Sequence, residues 1–431
     1  MRVLLVTEDI PAPQIGGLGR HVITLGNALI AAGHSAVLLG RTGVAGDTSR
    51  AGLGFDGDFI GGFDFTGMGW KEAQLGAWLP YKRRVMARRI EQAILRLAAG
   101  FDVVHYHGHL PMVGLGLPAG LNLVQTRHDQ GSECITHLRF RASAPCDALA
   151  PADCAGCIHP APGPLRRALS AAAVQQYRGD VAGNFAARKT IFVSDFLRRQ
   201  FLRAVPGADL RRARVIHNFI DLARLRSGAA AAGPLQPGSL LLVGRMDEAK
   251  GFGAFLEAFV PLLAPGQQVL MVGDGPERAA LQARHAGAAV RFLGWRDNAE
   301  VLALTRSAQA CVVPSVLQEP CATTILEPLL LGRPTLALRR GGTPELTLYQ
   351  RYPGQLQLAA DMPQLARLAA VALSTPAPAL PLPSSSPADV ASALPAVLGC
   401  YRDGDGDGDG DGDGDGDGDG AGAGISGGLA A

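Results

Sequence analysis

Between Arg2 and Ala359 the chain repeats one pattern: a short continuous apolar run, a turn of glycine, proline or polar residues, and then apolar residues at helical spacing. Continuous rather than alternating apolar runs mark strands buried on both faces, as in the parallel sheets of α/β proteins. Arg2–Thr7, Ser35–Gly40, Asp102–Tyr106, Leu121–Thr126 and Thr190–Ser194 read as such strands. An Ala, Gly and Pro stretch follows, and the pattern resumes with Ser239–Val243, Val269–Gly273, Val290–Gly294, Ala310–Val313, Pro334–Leu338 and Gln355–Ala359. This predicts an α/β chain of two Rossmann-like, doubly wound domains, 1–226 and 239–373, joined by a linker at 227–238. Open α/β sheets hold ligands beyond the C-terminal ends of their strands, so the residues just after each strand are the candidate site.

Five strand ends stand out. After the first strand come Gly16 and Gly17, but neither a G-x-G-x-x-G nor a G-x-x-x-x-G-K-[ST] pattern can be aligned there. After Ser239–Val243, Arg245 and Lys250 are five apart across a strand-to-helix turn, where a planar guanidinium and an ammonium can converge on one anion. Beyond Ala310–Val313, Glu319 and Glu327 are separated by seven residues, so one sits in the loop and the other on the ligand-facing side of the helix beginning near Thr323. Two acceptors so placed suit a polyhydroxylated ligand. In the first half, His105, His107 and His109 alternate at a strand end, and His128-Asp129 follows the next strand. Alternate histidines suggest a metal, although no local carboxylate accompanies them.

Glu319 and Glu327, followed by Gly332-Arg333-Pro334 and Gly341-Gly342-Thr343-Pro344-Glu345, resemble the donor-binding segment of retaining glycosyltransferases of the GT-B fold, family four. Gly244-Arg245 to Lys250-Gly251 resembles that family's diphosphate-binding motif, and Gly273-Asp274-Gly275 its turn beside the nucleotide. The resemblance covers roughly residues 1–373. It implies two domains facing across a cleft, with a nucleoside-diphosphate sugar held mainly by the second domain and the acceptor by the first. By the same resemblance Gly16 and Gly17 approach the diphosphate, Arg245 and Lys250 bind it, Glu319 positions the transferred sugar, Glu327 holds the ribose, His128 faces the sugar, and His107 and Asp129 line the acceptor cleft. The family more often has glycine and an aromatic residue after the first glutamate. This chain has Pro320, Cys321, Ala322 and Thr323, so the donor-side residues Cys321, Ala322 and Thr323 do not carry a donor identity with them. Same-face attack with retention is implied, and no metal or other cofactor is required for catalysis. The expected acceptor is a cell-envelope polysaccharide or lipid-linked glycan; a nucleotide-sugar epimerase and a non-catalytic nucleotide-sugar-binding protein are the alternatives.

Residues 403–420 are nine Asp-Gly repeats. Set against a chain total of +2, their nine negative charges leave +11 on the rest. A basic body suits an anionic donor and an anionic membrane surface; nucleic acid, equally consistent with charge alone, is not an expected partner once the motifs are weighed. A helix over about Lys71–Ala99 carries Lys82, Arg83, Arg84, Arg88, Arg89 and Arg96, either as a solvated face or as a contact for anionic lipid. No transmembrane run or signal peptide is indicated, so the expected location is cytoplasmic, peripheral on the inner face of the cell membrane. Residues 41–70 read as a mobile loop, and 374–431 as a Pro/Ala-rich and Asp-Gly-repeat tail that is disordered, although Asp389–Leu398 is a weak candidate for the helix that returns to the first domain. Finally, an insertion at 130–165 holds Cys134, Cys146, Cys154 and Cys157, the last two as a CxxC. A structural zinc, reduced thiols and a disulfide all fit that spacing.

Overall fold

A computed structural model of the chain describes residues 1–66, 79–158, 163–233, 236–287 and 289–402. The first domain begins with Arg2–Val6 (β1), Ser35–Arg41 (β2), Asp58–Phe63 (β3), Val103–His107 (β4) and Leu123–Arg127 (β5). A small antiparallel hairpin, Phe140–Arg141 (β6) and Ala144–Pro145 (β7), stands apart, and Lys189–Phe192 (β8) and Ala213–Val215 (β9) complete the sheet. Its order is β3-β2-β1-β4-β5-β8-β9 with every pair parallel. The second domain contributes Gln236–Val243 (β10), Gln268–Val272 (β11), Val290–Gly294 (β12), Ala308–Val313 (β13), Thr335–Leu338 (β14) and Leu356–Ala359 (β15). These form a second parallel sheet, ordered β12-β11-β10-β13-β14-β15. In both sheets the winding reverses beside the first strand, between β1 and β4 and between β10 and β13. Helices on both faces bury the apolar runs: Val3, Leu4, Leu5 and Val6 have no exposed surface, nor do Leu240 and Leu242.

Three segments depart from the expectation. Within 41–70, read as a loop, lie a short helix, Arg50–Leu53, and the edge strand β3. The linker is shorter than 227–238, because the helix Leu222–Ala230 runs into it and packs on the helix Asn298–Ser307 of the second domain, while β10 begins at Gln236. And the part of the tail from 374 to 402 crosses back. Arg306, Arg333 and Arg351 donate to the carbonyls of Leu380, Pro378 and Pro381. Asp389 bridges to Ile220, and the helix Val390–Arg402 then packs against Gly17–Ala31. Its Leu394, Val397 and Tyr401 are buried in the first domain's core. The Asp-Gly run lies outside the described residues, as do residues 71–78 of the helix expected at Lys71–Ala99; the described part spans Leu79–Leu97.

Candidate active site

Both winding reversals put loops at one cleft. In the second domain the loop after β10 is stitched to the loop after β11: Met246 N–H donates to the Asp274 carbonyl, and Glu277 N–H to that of Met246. Gly273, at φ +128°, is what permits this approach, since a Cβ there would collide with the Gly244 carbonyl. Lys250 pairs with Glu319, and Ser315 Oγ donates to the same carboxylate at 2.9 Å. Burial works against the Lys250 ammonium, but Glu319 outweighs it and its pKa is raised. Arg245 lies at the mouth, its side chain 69% exposed, with Asp247 Oδ2 3.4 Å away. Two cations and a carboxylate thus occupy one strand-to-helix turn and the loop facing it, with Arg245 free to swing onto a ligand.

Glu327 has a different environment. It starts from the helix Thr323–Leu330, whose N-terminus follows Cys321 and Ala322. Burial pushes its carboxyl up to about 7, partly opposed by Arg20, by a hydrogen bond from Asn298 and by Arg224. The surrounding pocket joins Gly17, Arg20, His21, Phe219 and Arg224 of the first domain to Asn298, Thr323 and Glu327 of the second. Gly16 caps the helix Gly17–Ala31, and no atom lies within 4 Å of where a Cβ on either glycine would stand, so the helix N-terminus is open to a ligand. Cys321 is buried and contributes its carbonyl, which accepts from Asn218 Nδ2 at 2.8 Å.

The histidines divide. His105 is bound to Tyr401 Oη at 2.7 Å and Thr126 Oγ1 at 2.8 Å, so the alternate trio does not converge on one ion. His107 Nδ1 lies 3.2 Å from His128 Nε2, and His21, stacked on Phe219, meets both rings. Burial pushes His21 to about 3 and His107 and His128 well below the usual range, so this triad is neutral. Asp129 is engaged by the loops around it. It accepts from Gly131 N–H at 2.8 Å and pairs with His109 Nδ1 at 2.5 Å, and His137 Nδ1 lies at 3.4 Å. Although burial opposes charge on His109, Asp129 and Asp9 hold it raised to about 10. Asp129 therefore ties the loop after β4 to the segment around His137.

Sequence reasoning did not single out Arg20, Arg224, His21 or Asn298. Arg20 had a signal, because it lies three residues after Gly17 and so on the same helix face; the others reach the pocket only through the fold. Glu345 was also missed as a tie: its carboxylate accepts from Asp195 N–H at 2.9 Å and Phe196 N–H at 2.7 Å across the cleft, and from His217 at 3.0 Å. Gln130 Nε2 donates to the Gln318 carbonyl at 3.0 Å, which brings the loop after His128 against the loop of Glu319.

The basic helix is not a free cationic face. Arg83 is buried, with Tyr177 and His137 as partners; Arg84 pairs with Asp180 at 2.9 Å; Arg89 and Arg96 donate to the carbonyls of Asp64 and Gly62. Of the run, Arg83 is thus closed to any surface contact, while Arg88, Arg89 and Arg96 stay exposed. Among the described residues no helix is long and apolar enough to cross a membrane. The four cysteines of the insertion are all free thiols and line one cavity of about 20 Å³.

Two parallel, doubly wound domains whose winding reversals share a cleft, with a basic pair and two glutamates in the second, define the GT-B architecture. Residues 15–224 match the model of Glycosyltransferase Family 4, and 237–372 that of Glycosyl transferases group 1. The chain belongs to glycosyltransferase family 4, and it is a transferase. It is 29% identical to the glycogen synthase of Mycobacterium tuberculosis over 371 residues, 81% of this chain and 80% of that protein. With the phosphatidyl-myo-inositol mannosyltransferase of Mycolicibacterium smegmatis it shares 27% over 344 residues, 76% of this chain and 73% of that protein. Among solved structures, Anabaena HepE in complex with UDP-glucose superposes with a TM-score of 0.56 at 16% identity, covering 94% of this chain and 96% of that one, a likeness of fold.

Proposed function

We propose that the chain is a retaining glycosyltransferase that moves a sugar from a nucleoside-diphosphate sugar to a glycan or lipid-linked acceptor. The observation that carries this reading is the Lys250–Glu319–Ser315 cluster, with Arg245 exposed at its mouth and the neutral His21–His107–His128 triad in the opposing domain. The donor's diphosphate lies at Arg245 and Lys250, near the N-terminus of Gly17–Ala31. Bond cleavage leaves negative charge on its oxygens, and fixed cations and aligned N–H groups stabilise that charge more in the transition state than in the ground state. Lys250, already drawn to Glu319, sits between the carboxylate that holds a sugar hydroxyl and the departing phosphate. Glu327 takes the ribose hydroxyls. His128, neutral and touching His107, offers the sugar a hydrogen bond without adding charge.

A nucleotide-sugar transferase reading is supported by the family membership and by HepE, whose structure holds UDP-glucose. The acceptor enters from the side walled by Asp129 and His109. The test is a transfer assay with nucleotide sugars and glycan acceptors. Lys250→Ala or Arg245→Ala lowers kcat/KM by on the order of 10²- to 10³-fold, and the product keeps the donor's anomeric configuration. Inverted product would remove the retaining assignment, and an isomerised donor without transfer would favour an epimerase.

A further inference from the structure

The insertion after Asp129 is poorly equipped to hold its own shape. From 133 to 158 its buried apolar side chains are Ile135, Ala155 and Ile158, and its regular structure is a two-residue hairpin and one helical turn. Segments of that size with so little core depend on a cross-link or a metal. Its backbone is also strained, since His137, Arg139, Ala142 and Ser143 adopt positive φ without being glycine. Yet the loop does positional work: His137 faces Asp129, and Gln130 reaches the loop of Glu319.

Where an apolar core would be expected, Cys134, Cys146, Cys154 and Cys157 all line one cavity of about 20 Å³, space for a single atom-sized guest. Guanidinium groups stand beside it. Arg178 Nη2 donates to Cys154 Sγ at 3.7 Å, and Arg141 hydrogen-bonds Cys157. Arg139 and Arg178 are 2% and 4% exposed, and the Glu133 carboxylate lies 3.9 Å from Arg139. Four thiolates around a divalent ion carry a net −2, which would balance these guanidiniums and accept their N–H groups as the outer shell of a metal site.

We propose that Cys134, Cys146, Cys154 and Cys157 form a tetrathiolate zinc site that staples the insertion against the acceptor side of the cleft. Zinc is the divalent ion for four sulfur donors in a closed, tetrahedral, non-catalytic setting. The site does not rest on the donor chemistry proposed above, and either can fail without the other.

The test uses the full chain, purified from zinc-replete cells without chelator. The expected result is one zinc per chain, and, after exchange for Co²⁺, a sulfur-to-cobalt charge-transfer band with the visible bands of tetrahedral coordination. All four cysteines resist alkylation in the zinc form and react after chelation, which assigns the ligands without any variant. Cys154→Ser with Cys157→Ser loses the zinc. Zinc-free protein whose four thiols titrate freely, or peptide mapping that finds a disulfide among them, would overturn the proposal.

Discussion

Two glutamates of one motif lie in opposite electrostatic settings. Glu319 faces an ammonium, whereas Glu327 is buried and its carboxyl pushed up to about 7. A carboxyl with a raised folded-state pKa binds its proton more tightly folded than unfolded, so its contribution to stability falls as pH rises from the ordinary carboxylate range towards 7. Wild type should therefore lose stability relative to Glu327→Gln across about pH 5 to 7 in parallel thermal melts; a flat difference would place Glu327 in a wetter site. If the ionised carboxylate holds the ribose, donor affinity should rise through the same window, and the Gln variant should lose that dependence in binding titrations. The residues at strand ends were legible because their chemistry is local: Arg245, Lys250, Glu319 and Glu327 lie where the pattern places them. The partners of Asp129 were not, because His109 and His137 come from separate loops and no local pattern joins them.

At the level of elements, the helix Asp195–Ala204 begins with Ser194 as its cap, and Glu345 from the other domain satisfies two further N–H groups. Charge-assisted bonds of this kind contribute about 1.5–3 kcal/mol. Glu345→Ala should cost about that in urea unfolding, with Glu345→Gln recovering part of it; an unchanged midpoint would mean that the tie is idle. The strand β3 escaped the sequence reading for a physical reason: Asp58-Phe59-Ile60-Gly61-Gly62-Phe63 is a half-exposed edge with two glycines, where neither continuous nor alternating burial is imposed. The final helix contains Pro395 and Gly399, which weaken any helical signal, and its hold on the fold comes from contacts distant in sequence, such as Tyr401 with His105, 296 residues apart.

For the whole molecule, that returning helix means the first domain is completed by the last described residues of the chain. Ending the chain before Val390 removes Leu394, Val397 and Tyr401 from the core. At roughly 1.5–3 kcal/mol per buried apolar side chain, the truncated protein should fail to fold or melt far below wild type, and an unaltered melt would contradict the closure described. Strand direction and the two-domain plan followed from the pattern of apolar runs; the closure showed only as the weak candidate at Asp389–Leu398, because contacts between distant segments, not a local pattern, fix it. The central claim is that the cleft between these domains binds a nucleoside-diphosphate sugar through Arg245 and Lys250. Its most direct test is thermal stabilisation of the full chain by UDP, GDP, ADP and their sugars, for wild type and for Arg245→Ala with Lys250→Ala. At a hundredfold excess over Kd, binding adds about 2.7 kcal/mol. The account predicts an upward shift with one nucleotide family that disappears in the double variant; no shift with any of them, or a shift that the variant keeps, would contradict it.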